Sequence, residues 1–112
     1  MTAVSTHILD TSAGDPARDV AVELAVLGAD GAWQVLATSH TNADGRCPDL
    51  PEVAPAPATV RLRFDVAGYR AARGEDAFFP EVQVVFTTDP ARPHYHVPLL
   101  LNPYGYSVYR GS

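Results

Sequence analysis

The alternation of large apolar and polar positions along the chain has a period of two far more often than a helical one. In Val60-Arg61-Leu62-Arg63-Phe64-Asp65-Val66 the apolar set Val60, Leu62, Phe64 and Val66 is separated by charged residues, which predicts a strand with one face in a core and Arg61, Arg63 and Asp65 in water. Val20 to Leu27 follows the same rule: one alternating set is uniformly large and apolar, and the other carries Glu23 and two alanines. Gly28-Ala29-Asp30-Gly31 breaks that stretch before Trp33 to Thr38 resumes it, so these two segments are expected to form a hairpin. Further strands are expected at Phe79–Phe86, Tyr95–Leu101 and Tyr106–Tyr109. Asn42-Ala43-Asp44-Gly45 reads as a tight turn. Pro48, Pro51, Pro55 and Pro57 crowd residues 47 to 58 into an irregular surface loop, because proline brings no N–H to a ladder. Only Tyr69-Arg70-Ala71-Ala72-Arg73, ahead of Gly74, has helical character. Seven or eight short strands with one short helix predict an all-β, two-sheet sandwich.

Length and composition narrow this further. A chain of 112 residues is expected to be a single domain, residues 1 to 112. Thirteen acidic residues against eight basic ones give a net charge of −5, and no basic run accumulates, so no nucleic-acid partner is expected. The opening Met1 to His7 has no positive or apolar leader character and no stretch is long enough to cross a bilayer, so a cytoplasmic location with no membrane partner is expected. Cys47 is the only cysteine and reads as a half-buried filler beside a turn. No Cys/His spacing supports a metal site.

Histidine is where proton-transfer chemistry would sit, because only imidazole titrates near neutrality without help. Taken singly, the four histidines are more often structural than catalytic. His40, near the Asn42 turn, keeps that reading. His94 reads as positioning its neighbours, since strand periodicity sends it to the face of His96. His7 and His96 lie in extended segments far apart in sequence, and spacing alone does not pair them. Arg46 directly follows the Asp44-Gly45 turn and would read as a solvated turn residue, though its planar fork suits an anionic or carbonyl-bearing ligand. Apolar and aromatic character runs on through Leu99-Leu100-Leu101, Tyr104, Tyr106 and Tyr109 almost to the last residue. Such a tail is expected to pack against something, a second subunit included.

Several ordered motifs resemble one family. Ser5-Thr6-His7-Ile8-Leu9-Asp10-Thr11, Thr41-Asn42-Ala43-Asp44-Gly45-Arg46, Phe78-Phe79-Pro80-Glu81-Val82, and His94-Tyr95-His96-Val97-Pro98-Leu99-Leu100-Leu101 through Tyr109-Arg110-Gly111-Ser112 are similar to the 5-hydroxyisourate hydrolases, also called transthyretin-related proteins. The resemblance covers essentially the whole chain. It implies a transthyretin-like fold of two four-stranded sheets with a short helix, and a homotetramer built as a dimer of dimers with active sites in the channel between dimers. It also implies hydrolysis of 5-hydroxyisourate to 2-oxo-4-hydroxy-4-carboxy-5-ureidoimidazoline in urate catabolism, without metal or organic cofactor. The family's catalytic trio falls on His7, Arg46 and His96. Substrate binding falls on the same three residues and on Tyr109, Arg110, Gly111 and Ser112. Asn102 stands where the family more often has Ser. Two other readings compete: the hormone carrier transthyretin, which shares the fold but lacks the histidine pattern and the Tyr-Arg-Gly-Ser ending, and a plain interaction sandwich.

Overall fold

The computed structural model describes residues 1–112. Eight strands and one helix follow in the order β1 (Ala3–Asp10), β2 (Asp15–Pro16), β3 (Ala21–Leu27), β4 (Trp33–His40), β5 (Thr59–Asp65), α1 (Val66–Ala72), β6 (Glu81–Thr87), β7 (His94–Asn102) and β8 (Gly105–Val108). They form two four-stranded sheets, β2-β1-β7-β8 and β4-β3-β5-β6. β1 and β7 run parallel, in register from Ala3 opposite His94 to Asp10 opposite Leu101. Every other pairing between neighbouring strands is antiparallel. No helix is long and apolar enough to cross a membrane.

The core lies between the sheets. Val22, Leu24, Val60, Leu62, Phe64 and Val82 from one sheet meet Ile8, Val97, Leu99 and Leu101 from the other, and all ten are buried. In β1 the alternation is complete: Val4, Thr6, Ile8 and Asp10 are buried while Ser5, His7 and Leu9 are half-buried on the opposite face. The inward set is hydrophobic enough to pin the register, so the outward set is pinned as well.

Several expectations are corrected. Arg61 is not solvated; its guanidinium donates to Glu23 at 2.9 Å and stacks 4.7 Å from the Trp33 ring centre, leaving the side chain 14% exposed. Ala25, opposite Arg61 in the ladder, is buried although it belongs to the outward set, whereas Val26 of the inward set is only half-buried near the strand end. A bulge where β4 passes Leu24 and Ala25 skips Leu36 in the pairing. The proline-rich segment is irregular as expected, but Val53 within it is fully buried and exchanges two backbone hydrogen bonds with Thr2. The helix begins at Val66, three residues earlier than its sequence suggests. Val66 stays in the core, so its apolar character extended the strand pattern, while the Asp65 carboxylate accepts from the Gly68 N–H and caps the first turn. Gly74, at φ +70°, marks the expected end.

One polar cluster is buried with the core. Asp10, at the end of β1, accepts hydrogen bonds from the Tyr69 hydroxyl and from Arg70 Nη1, both at 2.8 Å, and from Ser12. Burial works to raise the Asp10 pKa, but hydrogen bonds from Ser12, Tyr69 and the Ala13 N–H, with the charge of Arg70, outweigh it and hold the carboxyl below its ordinary value. Burial, and then the same contact with Asp10, push the Tyr69 phenol up to about 12. A depressed carboxyl contributes stability above its unfolded pKa and loses it as pH falls through the folded one. Wild-type stability is therefore expected to drop below about pH 4. Asp10→Asn should flatten that dependence and cost about 3 kcal/mol at pH 7, because it breaks the buried ion pair and leaves Arg70 only the half-exposed Glu75 at 3.2 Å. Urea unfolding at pH 7 and pH 3 checks both; an unchanged pH profile in the variant would show that Asp10 is not the acid-sensitive group.

Candidate active site

The outward face of β1 and β7 carries a row of polar side chains in a sheet otherwise built for packing. In-register parallel pairing places Ser5 beside His96 and Ala3 beside His94, so Ser5 and His7 share one face with His94 and His96. Ser5 Oγ lies 2.8 Å from His96 Nδ1 and 2.8 Å from His94 Nε2. The two imidazole centres are 6.5 Å apart.

Arg46 reaches the same face from the other edge of β1. The turn after Asn42 folds back so that the Ile8 N–H donates to Gly45 O at 2.8 Å, and Arg46 stands opposite His7 in an antiparallel bridge. Asn42 builds this turn: its carbonyl Oδ1 accepts from the backbone N–H of Asp44 and Arg46, while its own N–H donates to Arg46 O. Gly45 is required twice over. Its φ is +77°, and a Cβ there would stand 2.4 Å from Ile8 O and 3.4 Å from His7 Cδ2.

The tail arrives from the far side. Beyond β8 the chain keeps the register of its pairing with β7, and Gly111 bridges His96, donating its N–H to His96 O at 2.7 Å. A Cβ on Gly111 would lie 2.7 Å from His96 Cδ2. The His96 ring is thus held between Ser5 on one side and a glycine on the other, where any larger residue would press on the ring.

His7, Arg46, His96 and Gly111 are therefore brought together from four separate stretches of sequence. Tyr109 and Arg110 line an 800 Å³ cavity at the sandwich edge, with Phe86, Asp89, Arg92 and Tyr95, and the same register sets Tyr109 opposite Pro98, the β7 neighbour of His7. Ser112 is exposed just past Gly111. Leu99 and Leu101 pack in the chain's own core, whereas Tyr104, Tyr106 and Tyr109 remain exposed. Sequence reasoning missed Ser5, although its two-residue spacing from His7 on a strand was a usable signal.

No carboxylate pairs with His7, Arg46 or His96, in contrast to Arg61, Arg63, Arg70 and Arg73, each of which has at least one. The face is consequently cationic. Burial and then the charges of Arg46, His94 and His7 lower the His96 pKa below the ordinary imidazole value, leaving the ring neutral at neutral pH. A neutral imidazole beside an unpaired guanidinium supplies a base and an anion stabiliser in one place.

Residues 4–111 match the HIUase/Transthyretin family. The chain belongs to that family. Among its relatives in the family, the 5-hydroxyisourate hydrolase of Mus musculus is 45% identical over 97% of this chain and 94% of its own. The solved 5-hydroxyisourate hydrolase of Klebsiella pneumoniae superposes over the full length of both chains with a TM-score of 0.86 and 35% identity. Transthyretin from Sparus aurata superposes with a TM-score of 0.90 and 32% identity, covering 99% of this chain and 97% of that one. The HIUase/Transthyretin fold is thus common to hydrolase and transthyretin, and fold likeness alone does not separate them.

Proposed function

We propose that this chain hydrolyses 5-hydroxyisourate to 2-oxo-4-hydroxy-4-carboxy-5-ureidoimidazoline, with His7, Arg46 and His96 as the catalytic residues. The observation that carries the reading is the meeting of two imidazoles and an unpaired guanidinium on one sheet face from residues 7, 46 and 96.

The reaction adds water to a ring carbonyl and breaks the bond from that carbon to its ring nitrogen. Water needs a base, the carbonyl oxygen needs stabilisation as it becomes an oxyanion, and the leaving nitrogen needs a proton. Arg46 holds the oxyanion. His7 and His96 share the two proton transfers, with the water proton taken by one and the nitrogen protonated by the other. A substrate dense in carbonyl groups and ring nitrogens suits a cationic face.

Within one chain this face is open rather than enclosed, which motivates the second half of the reading: a homotetramer, a dimer of dimers, whose paired faces enclose the site. β6 and β8 are unpaired edges of their sheets, and both contribute to the cavity at the sandwich edge, so that side offers two strands for pairing with a second copy. Tyr109 and Arg110 also line that cavity, which sets the tail between the edge and the site. A cytoplasmic location goes with this reading.

The test is direct. 5-Hydroxyisourate is generated in situ by a urate oxidase and its decay followed by ultraviolet absorbance. Acceleration in proportion to added protein is expected; decay at the spontaneous rate overturns the assignment.

A further inference from the structure

The Ser5 hydroxyl sits between two histidines, and the hydrolase reading as stated uses only one of them. A hydroxyl has one hydrogen to donate. With imidazole nitrogens 2.8 Å away on both sides, it donates to one ring and accepts from the other. The two rings are therefore coupled: fixing the tautomer of one fixes that of its neighbour. If Ser5 donates to His94 Nε2, it must accept from His96 Nδ1–H, and the neutral His96 ring then has a bare Nε2. If Ser5 donates to His96 Nδ1 instead, His96 carries its proton on Nε2 and has no free lone pair.

We propose that Ser5 and His94 are positioning residues that hold His96 with its proton on Nδ1 and its Nε2 bare, making His96 the base and His7 the acid. The inference rests on the hydrolase reading and adds the division of labour between the two histidines. Three features of the site support it. The Nδ1–H to Ser5 bond persists when His96 takes a proton on Nε2, so the hydrogen-bonded chain needs no rearrangement as the ring becomes charged. The ring lies with its Cδ2 edge toward Gly111, where a Cβ would stand 2.7 Å away, and its Nδ1 edge toward Ser5, so the nitrogen that meets the hydroxyl is Nδ1. Burial and then the Arg46 charge disfavour a charged His96 in the resting state, keeping the lone pair available. His94, at the exposed start of β7, requires no substrate contact for this role; it is the acceptor that turns the Ser5 hydroxyl.

The experiment pairs kinetics with imidazole ¹⁵N spectra of histidine-labelled protein. In the wild type the His96 signals are expected to report protonated Nδ1 and bare Nε2; a protonated Nε2 in the neutral ring overturns the proposal. Ser5→Ala should mix the two tautomers and lower kcat roughly tenfold at similar KM, a fraction of what a positioned general base contributes. Ser5→Thr, which keeps the hydroxyl, should restore most of that kcat and the wild-type spectrum. An unchanged kcat in Ser5→Ala, or equal loss in Ala and Thr variants, overturns the role. The spectra need no substrate, so failure of the wild type to hydrolyse 5-hydroxyisourate would count against the hydrolase reading and leave the tautomer lock to be judged separately.

Discussion

His96→Asn is expected to lower the turnover of 5-hydroxyisourate about 100-fold or more, the contribution usual for a general acid–base group, while leaving the fold intact. His96 is half-buried on the outer face of β7 and lies outside the hydrophobic cluster, so its removal opens no core cavity. Its backbone carbonyl, which receives the Gly111 N–H, is unaffected by the substitution. Asparagine can still meet Ser5 through its amide, yet it cannot take a proton from water near neutral pH. The separation of effects is the informative part: turnover collapses while the melting temperature and the solution mass stay near wild type. A nearly normal rate would remove His96 from the mechanism.

Deleting Tyr109 to Ser112 is expected to reduce kcat/KM by about 100-fold, the scale on which a misplacement of about 1 Å at a catalytic group is felt, with a much smaller loss of stability. The deletion removes one backbone hydrogen bond, Gly111 to His96, worth about 1 kcal/mol net, and no member of the hydrophobic cluster. What it takes from the site is the backbone wall against the His96 ring. Steady-state kinetics and a thermal melt of the truncated protein separate the two effects; wild-type turnover from the folded truncation would exclude the tail from the site. Gly111→Ala is a finer probe of the same contact, since its Cβ would press on His96 Cδ2 at 2.7 Å.

Much of the architecture was legible because strand periodicity is a local property. The inward set Val60, Leu62 and Phe64 is buried as its alternation predicts, the Gly28–Gly31 hairpin joins β3 to β4, and a glycine ends the single helix. Errors fell where a neighbour distant in sequence changed the environment. Arg61 alternates like a solvated residue and is covered by Trp33 and Glu23. Val53 sits in a proline-rich loop and is buried because that loop closes against Thr2 beside β1.

For the site, the sequence by itself determined which chemical groups were present and, through resemblance, that His7, Arg46, His96 and the closing Tyr-Arg-Gly-Ser should be read together. It also determined the parity that puts Ser5 with His7 and His94 with His96, since residues two apart on a strand share a face. Only the tertiary structure decided that these two pairs are neighbours: β1 and β7 are strands separated by most of the chain, and the parallel register between them sets Ser5 against His96. The same holds for Arg46, carried to His7 by a turn that only a glycine permits, and for the tail, which brings Gly111 to His96 while Tyr109 and Arg110 line the cavity at the sandwich edge. Pairing between distant strands depends on the burial of both inner faces at once, and no local pattern contains that information.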